Sequence, residues 1–525
     1  MLKVIHIPLD ERPCNYDFPN QIFCGNEFDV KRVPFEFMGL KKKPGQIDRI
    51  NEFLLNESND AYAAIIALDT LLYGGLVPSR LHMDSFDKIL NRLDVLKQIK
   101  EENPNIKIYA YNLVMRCPSY NDDDEEPDYY EEYGERIHHK KAYEHKISLG
   151  IASDAEIEYV KNNDIPVEFL NDYENRRNIN IQITCEVLKL VSLGVIDFIV
   201  IPQDDSAPYG YTTIDQIKVK DVVSKLGITD KVLNYPGADE VSCVLFARML
   251  NEYYSKTPNV FVIYPSEECK TIIPCAEDRE LHESVKLQIK SSGCSHVEKI
   301  EESDLVLAVN APATNMIATQ YREFSDEYGY KTGRDLISFV NQIEEFINKG
   351  KKVTVCDIGY CNGSDPTFVK LIDEKDLYMK LSGYASWNIP CNSLGTAIAM
   401  GVRSLYNPNK EAFNNFLMHR YVEDIGYSCL ARKELRDEYC CDGYTMYDGR
   451  GPKEQYELEG YSIYNVKGQR DKCWCDLTKK VLNKMLLDLC PNLKGKYEIL
   501  DMYFPWSRTY DIGLKVKYIN DQLDD

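Results

Sequence analysis

Histidine and tryptophan are scarce in this chain, eight and three among 525 residues. No G-x-S-x-G elbow accompanies the histidines, so a Ser-His-Asp hydrolase is not expected. Phosphate loops are missing too. Gly74-Gly75 is only a pair, and neither G-x-x-x-x-G-K-[ST] nor a strand–turn–helix G-x-G-x-x-G occurs, so no nucleotide cofactor is expected. Positive charge runs short: 62 lysines and arginines face 84 aspartates and glutamates, a formal charge of −22. A field of that sign repels phosphate backbones and anionic lipid, which argues against nucleic acid and membranes as partners. No apolar run approaches the ~20 residues of a membrane span. The opening Met1-Leu2-Lys3-Val4-Ile5-His6-Ile7 has no signal-peptide apolar core with a cleavage site. With an odd 17 cysteines in no repeating framework, this predicts reduced thiols and a cytoplasmic protein. Cys440-Cys441 and Cys473-Trp474-Cys475 lack Cys-x-x-Cys spacing and a neighbouring histidine, and read as incidental thiols rather than a zinc site.

What is present is an α/β pattern. Residues are 44% hydrophobic and 28% charged, as in soluble globular proteins. Eight short apolar runs (Val4–Ile7, Ala63–Leu68, Ile106–Tyr111, Phe198–Ile201, Val232–Tyr235, Val260–Tyr264, Leu305–Val309, Val353–Cys356) alternate with helical segments such as Ser85–Glu101, Val241–Tyr254 and Leu336–Asn348. The alternation predicts a parallel sheet covered by helices. Eight units over about 400 residues favour a (β/α)8-like barrel with a long insertion after strand 3, residues 112–194. An open doubly wound sheet gives the same alternation, and a ninth run, Leu381–Ser386, blurs the count. Residues 1–400 are read as the catalytic domain. Residues 401–525, rich in tyrosine and charge, are read as a mostly helical C-terminal region packed on it. The insertion's acidic tip, Asn121 to Pro127, reads as a solvated loop, since it lacks the alternating ligands and glycine of a calcium loop.

The chemistry gathers where the apolar runs end. Phe198–Ile201 runs into Gln203-Asp204-Asp205-Ser206-Ala207-Pro208-Tyr209-Gly210. Two adjacent carboxylates there repel, so one tends to hold a proton near neutrality, the setting for general acid/base work. Ser206, directly after the acids, reads as a helix cap. Other run ends supply Asp10, Arg12, Asp69, Arg80, Asn112, Arg116, Asp239, Glu240, Asp357, Asn362, Trp387, Asn388 and Asn392 as candidate substrate-binding residues. Each alone is an ordinary cap or turn residue. Together they would ring one mouth with acids, amides, arginines and an indole, a mixture suited to hydroxyl groups and sugar faces. The expected partner is therefore a small molecule of carbohydrate type, with Asp204 and Asp205 catalytic and no cofactor or metal assigned.

Several motifs resemble one family over nearly the whole length. Pro-Leu-Asp-Glu-Arg-Pro (8–13), Ala-Leu-Asp-Thr-Leu-Leu-Tyr-Gly-Gly-Leu-Val-Pro-Ser-Arg (67–80), Gln-Asp-Asp-Ser-Ala-Pro-Tyr-Gly (203–210) and Pro-Gly-Ala-Asp-Glu (236–240) are similar to the bacterial domain-of-unknown-function 4127 family. So are Asn-Gly-Ser-Asp (362–365), Trp-Asn-Ile-Pro-Cys-Asn-Ser-Leu-Gly (387–395) and Pro-Trp-Ser-Arg (505–508). This resemblance implies no activity. A partial one, adjacent aspartates after a barrel strand with a Trp-Asn-x-Pro-x-Asn segment downstream, is to N-acetylglucosaminidase-type glycoside hydrolases. It implies that Asp204 orients a substrate acetamido group and Asp205 is the general acid/base. The strand order and the sequence around the acids depart from that family. The expected function is glycosidic bond cleavage by the adjacent aspartates. A metal-dependent hydrolase or lyase with an all-oxygen site drawn from Asp10, Asp69, Asp204 or Asp357 stays open. So does a non-catalytic protein whose Arg12, Arg80 and Arg116 clamp a ligand carboxylate.

Overall fold

The computed structural model describes residues 1–439 and 473–520. Its strands are β1 (Leu2–Ile7), β2 (Phe28–Arg32), β3 (Ala63–Ala67), β4 (Lys107–Tyr111), β5 (Phe198–Gln203), β6 (Val232–Pro236), β7 (Asn259–Ile263), β8 (Ser295–Val297), β9 (Leu305–Asn310), β10 (Lys352–Asp357), β11 (Gly383–Ala385), β12 (Tyr497–Tyr503) and β13 (Gly513–Tyr518). The fold is mixed α/β with parallel sheets, as the alternation predicts. All nine expected runs appear as strands, shifted by a residue or two at their ends. The helices Val241–Tyr253 and Leu336–Asn348 lie where expected, and Ser85 caps the first of two helices, Phe86–Arg92 and Asp94–Glu102.

The strands pair into two main sheets rather than one ring. One is six-stranded in the order β2-β1-β3-β4-β5-β6, the other five-stranded in the order β11-β10-β9-β7-β8, and β12 and β13 form an antiparallel hairpin. Every ladder in the two large sheets is parallel. Among the described residues no ladder closes either sheet, so the expected eight-stranded barrel is not among these pairings. β2 and β8 carry no apolar run and are edge strands, which is why the count from sequence stopped short. The insertion expected after strand 3 accordingly follows β4, and the C-terminal region, helical over Lys410–Arg420, Tyr421–Ala431, Arg432–Tyr439 and Cys473–Leu489, ends in the hairpin.

The chain forms two compact units. The first comprises Met1–Glu11, Glu27–Leu245 and Ala276–Asp278; the second comprises Arg12–Asn26, Phe246–Cys275 and Arg279–Asp525. Numbered within its own unit, each sheet begins 2-1-3-4-5, the order of doubly wound flavodoxin-like folds. In such open sheets ligands bind outside the carboxyl ends of the strands, where the order reverses, here between β1 and β3 and between β7 and β9. The central strands β3, β5 and β9 are buried along their whole length, as parallel strands covered on both faces must be.

Within the first unit the insertion contributes helices Tyr130–Ser148, Asp154–Lys161 and Val167–Ser192. The first and third share a core of Tyr130, Ile137 and Tyr173 with Tyr211 of the helix Tyr211–Leu226 that follows β5. Among the described residues no helix is long and apolar enough to cross a membrane.

Candidate functional site

In the first unit the carboxyl edge gathers a dense set of ionisable groups. β5 delivers Asp204 and Asp205, with Asp205 held in the left-handed region at φ 42°. The loop after β3 delivers Arg80, which is 1% exposed, and the segment after β4 delivers Arg116. Arg80 Nη2 donates to Asp204 Oδ2 at 2.6 Å, and Arg116 Nη1 donates to Asp205 Oδ2 at 3.0 Å. The expected solvated loop then proves otherwise. Glu125 and Glu126 at the insertion's tip fold inward: Glu126 Oε1 accepts from Arg80 Nη1 (3.2 Å) and Arg116 Nε (2.6 Å), and Glu125 pairs with both arginines. Lys41 and Lys42 take up Asp124, Asp123 and Asp128. The acidic run is a counter-charge for buried arginines, which its composition alone does not reveal.

Two further anchors fix this loop. Arg177 on the long insertion helix donates to the Arg116 carbonyl at 2.9 Å and pairs with Asp215 at 2.8 Å, while Tyr173 also donates to the Arg116 carbonyl at 2.9 Å. His145 Nδ1 accepts from the Gly210 amide at 3.2 Å, tying the insertion to the turn after the acid pair. Ser206 is not the expected cap. Gly210 occupies the N-cap of the following helix with φ 106°, and the Ser206 hydroxyl donates to the Ala276 carbonyl at 3.4 Å.

The carboxyls here are unusual acids. Burial first, then the charge of Asp205, push the Asp204 carboxyl up to about 7, against the pull of Arg80 and Arg116. The arginines do not prevail because each divides its charge among three carboxylates. Asp204 spends Oδ2 on Arg80, and among the described residues its Oδ1 has no hydrogen-bond partner. Asp69, at the β1/β3 reversal, accepts from Leu113 N at 3.0 Å and Asn112 Nδ2 at 3.4 Å, and burial raises it to about 6. Burial raises Glu240 to about 8, and it accepts from Ala238 N at 3.0 Å. Asp10, Asp69 and Asp239 all bear electrostatically on the buried Tyr111 phenol, and Asp239 bears on Asp204. Sequence reasoning passed over Tyr111, whose hydroxyl lies 2.9 Å from Ser242 Oγ. His6 Nε2 lies 3.1 Å from the same oxygen, and burial drives that imidazole down to about 3.

The candidates thus divide between the units. Asp10, Asp69, Arg80, Asn112, Arg116, Asp204, Asp205, Asp239 and Glu240 belong to the first; Arg12, Asp357, Asn362, Trp387, Asn388 and Asn392 belong to the second. Asp357 is fully buried with both oxygens engaged, by Asn310 Nδ2 (2.8 Å), Tyr384 Oη (2.9 Å) and the Asp365 amide (3.0 Å). Asp365 in turn pairs with Arg334 at 2.6 Å and caps the helix Pro366–Glu374. This is a satisfied network under the sheet edge, closed by Arg334 and Tyr384, neither of which carries a sequence signal. Asn392 is buried in the first turn of the helix Pro390–Ser404, and the Trp387 indole donates to Thr396 Oγ1 at 3.2 Å.

Arg12, Trp387 and Asn388 instead share a cleft within the second unit, with Arg432, Tyr510 and Asp511. Arg12 lies 4.4 Å over the Trp506 ring, so the closing aromatic motif packs where the opening one ends. Among the described residues no three of His, Cys, Asp and Glu are grouped so as to hold a metal ion. Cys440 and Cys441 lie outside the described residues, and Cys475 is buried.

The family described as protein of unknown function (DUF4127) matches residues 4–515, so the chain belongs to that family. No curated protein matches it.

Proposed function

We propose that this DUF4127 chain is a hydrolase acting on a glycosidic bond at the carboxyl edge of the six-stranded sheet, with Asp204 as the proton-transferring group. One observation carries the reading. Asp204 is a buried carboxyl raised to about 7, with Oδ1 unengaged by any described residue, beside a second carboxylate fixed by Arg116. A group with that affinity can give a proton to a leaving oxygen and take one back from water at neutral pH. The barrel of the N-acetylglucosaminidase-type enzymes is no part of the support, which rests on the carboxylates.

Adjacent residues begin only ~3.8 Å apart at Cα, too close to bracket a sugar from opposite faces. Substrate assistance fits better. Asp204 protonates the glycosidic oxygen as its bond to C1 breaks, and the substrate's acetamido oxygen forms a bond to C1. Asp205 holds the acetamido N–H. Water, deprotonated by the Asp204 carboxylate, then attacks C1 and reopens the ring so formed. The roles are exchanged relative to the family resemblance, because Asp204 is the carboxyl that burial raises toward neutrality.

A panel of aryl glycosides that includes N-acetylhexosaminides tests the proposal, with Asp204→Asn and Asp205→Asn as paired variants. Losing the proton donor should lower kcat by about 10²- to 10⁴-fold. No turnover of any sugar, or equal turnover by the variants, would sink it.

A further inference from the structure

The second unit holds a small cleft, open to solvent, that the acid-pair reading leaves unused. It is where motifs far apart in sequence meet. Arg12 comes from the opening motif, Trp387 and Asn388 from the Trp-Asn motif, and Tyr510 from just beyond the closing one. The backbone around it is strained at three non-glycine residues: Asn362, Asn388 and Trp506 have φ of 63°, 53° and 57°. Asparagine tolerates this region, but a bulky residue such as tryptophan is a true outlier there. Such conformations persist where surrounding structure enforces them, and they cluster at binding and catalytic sites. The Tyr510 hydroxyl, 2.7 Å from both Asn362 Oδ1 and Asn388 Oδ1, pins two of the three.

The charges are arranged unevenly. Arg432 is 7% exposed, and its guanidinium donates only to main-chain carbonyls, those of Tyr510 (2.8 Å) and Asn362 (2.9 Å). No carboxylate among the described residues pairs with it, in a chain with a large acidic excess. Arg12 lines the same cleft. Two carboxylates line it as well. Asp511 Oδ1 accepts from Arg508 Nε (3.2 Å), and Glu423 Oε2 accepts from His419 Nε2 (2.8 Å) and Arg420 Nη2. The second oxygen of each has no partner among the described residues. Cationic and anionic lining together disfavour a multiply charged anion and suit a ligand that is itself both acceptor and donor.

We propose that this cleft binds a small carboxylic acid bearing an amino or hydroxyl group beside the acid, with the carboxylate on Arg432 and Arg12 and the donor group on Asp511. Guanidinium–carboxylate hydrogen bonds are charge-assisted, and planar forks match.

The test uses the full chain and needs no variant at first. Trp387 lines the cleft and Trp506 stacks on Arg12, so intrinsic fluorescence and thermal shift both report on it. The probes are glycolate, L-serine, propionate, propionamide and inorganic phosphate. Glycolate or L-serine should give a saturable response at or below millimolar concentration, propionate a weaker one, and propionamide none. Arg432→Met should weaken the acid by about ten- to a hundredfold, the range of one charge-assisted bond. That variant can misfold because Arg432 also holds two carbonyls, so Asp511→Asn is the second. It should weaken glycolate and L-serine toward propionate while leaving propionate unchanged. No saturable response to either hydroxy or amino acid, or equal binding of propionamide, or tighter binding of phosphate, overturns the proposal. None of these outcomes bears on Asp204.

Discussion

Replacing Asp204 by asparagine should make the protein more stable at pH 8 and no more stable at pH 4. The carboxyl moves from an ordinary value of 3.8 to about 7 on folding. Below pH 4 it is protonated in both states and contributes no difference. Between pH 4 and 7 the unfolded chain has released its proton while the folded chain still holds it, so each pH unit costs the folded state ~1.4 kcal/mol. Three units amount to about 4 kcal/mol, fully developed above pH 7 and absent below pH 4. The attraction of Arg80 is already inside that shift, because it opposes burial and the charge of Asp205. Asparagine keeps an oxygen for Arg80 and removes the titration. Urea melts at pH 4, 6 and 8 followed by far-UV circular dichroism measure the difference. All three tryptophans, Trp387, Trp474 and Trp506, belong to the second unit, so a dichroism transition not mirrored in tryptophan fluorescence reports the first. A variant less stable than the parent at pH 8, or one that keeps the parent's pH slope, would refute the reasoning. The same substitution should lower turnover by about 10²- to 10⁴-fold, so activity and stability move in opposite directions, as expected where a site holds a functional group at a cost in stability.

Glu240→Gln should be nearly neutral at pH 4 and stabilising at pH 8, since burial keeps the folded carboxyl protonated up to about 8 while the unfolded chain releases that proton above 4.5, and an amide oxygen can still accept from Ala238 N. Melting temperatures at the two pH values check it, and a loss at both would refute the titration argument. Gly74→Ala should cost about 2 kcal/mol or more: φ is +87°, and a Cβ there would meet Gly45 N at 2.7 Å and Pro44 Cβ at 2.9 Å. Gly227→Ala, at φ +66° with open space around it, should cost only about 1 kcal/mol, and equal losses in denaturant melts would remove the clash from the argument.

The acid pair was legible because the signal is local: an apolar run that stops at two carboxylates. What surrounds it was not. Arg80 and Arg116 were visible as candidates, but their counter-charges Glu125 and Glu126 arrive from an insertion whose acidic run has the composition of a solvated loop. Burial of such a run depends on Arg80, 46 residues before Glu126, while Arg116, ten residues before it, carries no local sign that it is itself buried. The same holds for Arg334 with Asp365 and for Arg432 with the Tyr510 carbonyl, pairs 31 and 78 residues apart.

The architecture turned on two short strands. β2, Phe28–Arg32, and β8, Ser295–Val297, are edge strands whose residues are mostly half-buried, so neither needs the continuous apolar run that marks a strand covered on both faces. Each is also the second strand of its unit, the one that places strand 1 between strands 2 and 3 and creates the reversal. Without them, nine buried runs look like consecutive staves of one ring. With them, the order 2-1-3-4-5 appears twice, and the strand ends sort into two edges, each with its own reversal. Asp10 and Asp69 follow the strands on either side of the first reversal, and in the second unit Asn310, which ends β9 at the other, hydrogen-bonds Asp357. A single mouth requires all the candidates to serve one substrate. Two sheets allow the acid pair and the arginine cleft to answer to different molecules, which is why the glycoside panel and the carboxylate panel can succeed or fail separately.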